Sequence, residues 1–201
     1  RSRRQRQMCI RDSLYPNDMQ RAGKLLRFKQ QYFFTSASIQ DLIHRYKKNF
    51  PDDPTFRSFS QYHSIQLNDT HPVIAIPELM RLLIDQEELS WDDAYEVATH
   101  TFAFTNHTVL QEALEKWSLD IVEEVCPRCL ELIKEINQKM ISVFRQQGMP
   151  DDKINTYRII HDNVVEMAYL AVWCAVAVNG VAEIHTRILK EETLHQWYEA
   201  M

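Results

Sequence analysis

Apolar residues recur near every 3.6 positions from Gly23 to about Asn49, at Leu25/Leu26, Tyr32/Phe33, Ile39, Leu42/Ile43 and Tyr46, which predicts a long amphipathic helix. Pro51 and Pro54, with Asp52 and Asp53, mark a loop. A short strand is predicted over 63–67; it runs into the polar tetrad Asn68-Asp69-Thr70-His71 and stops at Pro72. Ile76, Leu79, Met80 and Leu83 then predict a helix over roughly 75–87. Ser90 suits the N-cap of a helix over 91–99, with Asp92 and Asp93 in its first turn, where the dipole favours acid. Residues 101–104 predict a second strand ending on a second tetrad, Thr105-Asn106-His107-Thr108. The order β, α, α, β is a crossover, so the two strands are expected to be parallel.

Beyond the second tetrad the pattern is mostly helical. Segments 111–116, 118–125 and 127–146 are predicted as helices, broken at Ser118 and Pro127, and Gly148 with Pro150 predicts a turn. An apolar helix is predicted over about 159–178, with Met167, Leu170, Cys174 and Ala177/Val178 as its core stripe. Asn179-Gly180 then reads as a break, and 181–190 as a further helix. The class is helix-rich α/β, part of a larger domain.

Composition narrows the chemistry. The 201 residues are 45% hydrophobic and 25% charged, with a net charge of -5, which argues against a nucleic-acid surface. The longest apolar run, Ala168 to Val178, is about half a membrane span and reads as a buried helix, so no membrane partner is expected. Only three glycines occur, Gly23, Gly148 and Gly180, too few for a glycine-rich phosphate cradle. Cys9, Cys126, Cys129 and Cys174 lack the spacing of a disulfide framework, so a reducing, cytoplasmic setting is expected. Cys126 and Cys129 have metal-like spacing but no second pair; they are expected to face the core as small apolar side chains. His161 and His195 are expected at the surface, and His100 in a structural place.

The two tetrads end parallel strands joined by one crossover, so their side chains should emerge at one edge of the sheet. They bring Asp69, His71 and His107 together with the uncharged hydrogen-bonders Asn68, Asn106, Thr70 and Thr108. Such a mixture can read sugar hydroxyls, which both donate and accept. The same residue types also cap helices and turns. On residues alone, a helical interaction or regulatory module and a metal-dependent hydrolase with Asp69, His71 and His107 as ligands stay open.

The sequence IQLNDTHP followed by IPELMRLLID, and the second tetrad followed by Glu112-Ala113-Leu114-Glu115-Lys116-Trp117, closely resemble the α-glucan phosphorylases, the glycogen and maltodextrin phosphorylase family. The resemblance extends to Leu14–Asp18, Gly23–Phe33, Pro127-Arg128, Glu135–Asn137 and Ala177–Ala182 with Ile184-His185. It covers 13–201. Residues 1–12, RSRRQRQMCIRD, stand apart and read as a non-native, adapter-derived segment, a basic tail being the other reading. The departures are Met19 and Gln20 after Asp18, Gln111 where the family usually has proline, and Cys129 where it has histidine.

The resemblance implies part of the N-terminal Rossmann-like lobe of a two-lobed, GT-B type glycosyltransferase. Such an enzyme transfers a glucosyl unit from the non-reducing end of an α-1,4-glucan to inorganic phosphate, with retention, giving glucose 1-phosphate. Pyridoxal phosphate, allosteric control and a homodimer come with the full-length enzyme; the cofactor lysine is not in this chain. By resemblance, His107 contacts the glucosyl unit, Asp69, Asn68, His71, Asn106 and Thr108 line the sugar site, and Asp18 and Arg27 belong to a gate loop. The chain alone is expected to be inactive.

Overall fold

A computed structural model describes residues 19–200. The expectations for residues 1–12, for Cys9 and for Leu14–Asp18, including the gate acid Asp18, lie outside them.

The long helix is present as α1 (Arg21–Asn49). Phe28, Ile39, Ile43 and Tyr46 face inward at helical spacing, whereas Leu26 and Phe33 of the expected stripe, with Phe34, point out. After the short α2 (Phe59–Tyr62) comes β1 (Ile65–Asn68), which begins two residues later than predicted and takes in Asn68. The helix α3 (Ala75–Asp85) is buried along nearly its whole length and packs against α1, α4 (Trp91–Thr101) and α6 (Pro127–Gln146). Ser90 caps α4 as predicted, its hydroxyl accepting the Asp93 N–H at 3.1 Å. The second strand, β2 (Phe102–Asn106), pairs with β1 in parallel, Ile65 opposite Phe102 and Asn68 opposite Thr105.

The later chain departs from the pattern reading. Residues 111–116 form only a 3-10 turn at Gln111–Ala113 before β3 (Lys116–Ser118), and α5 (Leu119–Val125) follows. Trp117 explains the strand: its ring is buried against Phe28, 5.0 Å between centroids, which an extended backbone delivers. A short α7 (Asp151–Asn155) follows the turn at Gly148. The predicted helix over 159–178 is broken into four pieces. First comes a hairpin of β4 (Ile160–His161) and β5 (Val164–Glu166), with Asp162 and Asn163 both at positive φ, the backbone of a tight two-residue turn. Only α8 (Met167–Cys174) is helical, and β6 (Val178–Gly180) is a third parallel strand on β2. Met167, Leu170 and Cys174 are core residues as expected; Ala177 and Val178 are exposed.

Among the described residues two small sheets form, a parallel one ordered β1-β2-β6 and an antiparallel one ordered β3-β5-β4. Asn179-Gly180 is therefore not a break. Gly180 sits where α9 (Glu183–Ile188) crosses the strand end: a Cβ there would lie 2.7 Å from the Thr186 backbone nitrogen and 2.8 Å from the His185 carbonyl carbon. The helix continues through a π turn at Leu189–Thr193 into α10 (His195–Ala200), which buries Trp197. Cys126 and Cys129 are buried as expected, yet bonded to each other, with Cα atoms 5.3 Å apart. His161 and His195 lie partly or fully at the surface, each with a partner: His161 donates to Glu166 at 2.8 Å and His195 to the Lys190 carbonyl at 3.0 Å. His100 bonds the Glu96 carbonyl in its own helix. Among the described residues no helix is long and apolar enough to cross a membrane.

Candidate functional site

All three parallel strands end, at their carboxyl ends, in polar residues: Asn68-Asp69, Thr105-Asn106-His107 and Asn179-Gly180. The carboxyl edge of an open parallel sheet is where such folds bind ligands. The edge is knitted across the strands. Gln66 donates to the Thr105 hydroxyl at 2.8 Å, and that hydroxyl donates to the Asn179 side-chain oxygen at 3.1 Å. Asp69 turns out of β1 at φ 71°, a left-handed conformation that short polar side chains tolerate best. Its N–H donates to the Thr105 carbonyl at 2.8 Å and its carboxylate accepts the Thr70 N–H at 2.7 Å. Asn106 is fully buried, and its side-chain oxygen takes the Thr108 N–H at 2.7 Å, so it shapes the turn after β2.

The named residues divide into two groups. Arg27, Asp69, His71 and Thr108 line one cleft of about 410 Å³, together with Thr70, Lys24 and Glu115. His107 is exposed outside that cleft and donates to the Asn68 side-chain oxygen. Of the described residues in the predicted set, the strand ends bring Asp69, His71 and Thr108 to the cleft, where Arg27 meets them from α1, while His107 and Asn68 form their own pair and Asn106 stands behind the wall.

Glu115 is the residue the motif reading passed over. It is the acid at the centre of the cleft, accepting Gln31 at 3.0 Å and His71 Nδ1 at 3.3 Å, with Arg27 at 3.8 Å. Burial pushes its carboxyl up, but the hydrogen bonds from His71 and Gln31 outweigh that and hold it below the usual carboxylate range. The same bond to Glu115 raises the His71 imidazole against the opposing effect of its partial burial. No local pattern marked it: Glu115 directly precedes β3 (Lys116–Ser118), whose three residues are too few to show a period.

A cleft with two carboxylates, an imidazole, a guanidinium and a hydroxyl presents both donors and acceptors to a hydroxylated ligand. It does not form a metal centre. Asp69 and His71 stand 3.9 Å apart with His107 bonded elsewhere, and the one grouping of three possible ligands among the described residues is Glu78, Cys126 and Cys129.

A family model described as Carbohydrate phosphorylase matches residues 1–201. Glycogen phosphorylase 2 of Dictyostelium discoideum is 46% identical over 194 residues, 94% of this chain and 19% of that protein. Glycogen phosphorylase of a Synechocystis strain is 47% identical over 190 residues, 92% of this chain and 22% of its own length. The muscle form of Ovis aries glycogen phosphorylase is 45% identical over 195 residues, 92% and 23% respectively. The chain thus spans between 19% and 23% of the length of these relatives.

Proposed function

The chain belongs to the carbohydrate phosphorylase family, and on that premise we propose that it forms part of the N-terminal Rossmann-like lobe of a GT-B type α-1,4-glucan phosphorylase. The whole enzyme moves a glucosyl unit from the non-reducing end of glycogen, starch or maltodextrin to inorganic phosphate, with retention, and releases glucose 1-phosphate. It works as a homodimer in the cytoplasm, under allosteric control. Residues 13–201 supply the lobe, and residues 1–12 are the adapter-derived segment.

The observation that carries the reading is the polar carboxyl edge of the β1-β2-β6 sheet beside the cleft of Arg27, Asp69, His71, Thr108 and Glu115. Asp69 and Glu115 accept from sugar hydroxyls, while His71, Arg27 and Thr108 donate. His107, exposed at the edge, contacts the glucosyl unit, and its bond to Asn68 fixes the ring. Asn106 sets the turn that delivers His107 and Thr108. Asp18 completes the gate with Arg27. These groups bind and orient; they hold the sugar against tumbling, which lowers the barrier by pre-paying orientation.

The family's pyridoxal phosphate supplies a proton-transferring phosphate group when bound. No described lysine is buried here: Lys24, Lys29, Lys47, Lys48, Lys116, Lys134, Lys153 and Lys190 are exposed and Lys139 is half-buried, bonded to Asp92. A Schiff-base lysine needs a desolvated, enclosed place, so these residues do not fit the cofactor, and no step is assigned through it. Val176, Val178, Val181, Ile184 and Tyr198 leave an apolar surface around β6, which supports a lobe that further chain covers.

The test is phosphorolysis of maltodextrin by the purified chain with pyridoxal phosphate and inorganic phosphate. No glucose 1-phosphate is expected. Turnover by the chain alone would overturn the assignment of its role as one wall. In the full-length enzyme, His107→Ala is expected to lower kcat/KM for maltodextrin at least about 100-fold, the scale of one lost transition-state contact; unchanged kinetics would remove His107 from the site.

A further inference from the structure

The Cys126–Cys129 pair has no part in the cleft, yet its surroundings are unlike those of inert core sulfur. We propose that Cys126 and Cys129 form a reversible dithiol–disulfide site, in which Cys126 reacts first and Cys129 closes the bond. The Cα separation of 5.3 Å lies within the range of about 4.4–6.8 Å that a bond requires without backbone movement. Cys126 is the N-cap of the 20-residue helix α6, with Pro127 at its first position, and its sulfur accepts the Cys129 N–H at 3.3 Å. A negative charge on Cys126 is therefore supported by a backbone donor and the positive end of the helix.

Cys129 has the opposite surroundings. Its sulfur lies 3.5 Å from Oε2 of the fully buried Glu78, so a second charge there is opposed, and in the dithiol form its S–H donates to that oxygen. The two sulfurs are inequivalent in access as well, with Cys126 4% exposed and Cys129 fully enclosed. A zinc ion is disfavoured at the same place. The Glu78 oxygens already accept from Ser36, Tyr32 and both donors of Arg81, and two sulfurs fall short of a tetrahedral set.

The oxidant proposed is hydrogen peroxide. The Cys126 thiolate attacks one peroxide oxygen; an S–O bond forms, the O–O bond breaks, and the hydroxide released takes up the proton Cys126 gave up, as water. The Cys129 sulfur then displaces the sulfenic hydroxyl, the S–S bond forms, and the Cys129 proton leaves with that hydroxyl as a second water. Two thiols lose two electrons and one peroxide becomes two waters. A dithiol reductant reverses the step through a mixed disulfide at Cys126.

Arg128 lies between the two cysteines, so trypsin reads the bond directly. The whole chain is exposed to hydrogen peroxide or dithiothreitol, free thiols are blocked with iodoacetamide in denaturant, and the digest is weighed. After peroxide, residues 117–128 and 129–134 are expected as one linked species. After dithiothreitol they are expected as two separate alkylated peptides, and the change should repeat in both directions. Cys129→Ser should leave a sulfenic acid on Cys126 that dimedone captures, and Cys126→Ser should leave Cys129 unreacted. Two alkylated cysteines at peroxide levels that oxidise a control thiol would overturn the proposal. So would sulfinic acid without a linked pair, or a bound metal that shields both thiols until it is chelated. If a serine variant does not fold, the linked-to-free ratio in the unaltered chain decides alone.

Discussion

Replacing Glu78 by alanine should be the most damaging single change in the helical core. The carboxylate is wholly buried and accepts four hydrogen bonds: Ser36 at 2.6 Å, Tyr32 at 3.1 Å, and Arg81 at 2.7 and 2.8 Å. The Arg81 side chain is 19% exposed, so losing its partner leaves a largely desolvated guanidinium. Removing one member of a buried pair costs about 3–5 kcal/mol. Partial exposure lets Arg81 reach water and favours the low end, while the Ser36 hydroxyl keeps the bond it accepts from Gln40 and loses only its acceptor. The expected loss is about 3 kcal/mol, which at a urea slope of about 2 kcal/mol per molar lowers the unfolding midpoint by about 1.5 M. The assay is urea denaturation followed by circular dichroism. The companion variant replaces both Glu78 and Arg81 by leucine, and should recover about 2 kcal/mol, because an apolar pair needs no mutual compensation. A Glu78→Ala loss below about 1 kcal/mol, or a double variant no better than the single one, would refute the argument that an orphaned charge dominates.

Gly180→Ala should cost about 2 kcal/mol by denaturation, because the new methyl meets backbone of α9 rather than a movable side chain. Gly148→Ala is the contrast: nothing lies within 4 Å, so only the positive φ of 80° is charged against it, about 1 kcal/mol. The His71–Glu115 contact carries a pH signature. The imidazole is raised above 6.5, so its contribution is complete below that value and fades as pH rises through the raised one; the carboxyl is lowered below 4.5, so its contribution holds above that value and fails as pH falls through the lowered one. The contact is thus strongest between those values, and an NMR titration of His71 should return toward 6.5 in Glu115→Gln; an unmoved titration would refute the pairing. Ser90→Ala should cost about 1 kcal/mol of stability through loss of the α4 cap.

The first half of the chain was legible because local signals and tertiary demands agree there. A 3.6-residue stripe, a polar tetrad before Pro72 and a capping serine gave α1, β1, α3 and α4 nearly in place, with the parallel pairing of β1 and β2. The misses have separate causes. Ile160, Val164 and Val165 are strand formers flanking Asp162-Asn163, but the apolar density that continues into Met167–Cys174 masks the hairpin when it is read by hydrophobicity alone. β6 has three residues, too few for any period, and its partner β2 lies far back in the sequence. At the site, Asp69, His71 and Thr108 were readable as strand-end polar residues. Glu115 was not, since its place just before β3 is fixed by the packing of Trp117 on Phe28. The cysteine bond was illegible for another reason: the spacing places both side chains toward the core but does not say that the two sulfurs join.

The strand order β1-β2-β6 also governs when the polar edge can exist during synthesis. β1 and β2 are made early and joined by two helices, but a two-stranded parallel ribbon holds poorly alone. Its third member waits for Val178, after the hairpin and α8 have been laid down, and pairs across a long loop whose closure must be met first. Asn179 then reaches Thr105, and α9 closes down on Gly180. The ligand-facing edge is thus among the last parts of the described fold to become rigid, and until then the free edge of β2 is open to any other unpaired strand.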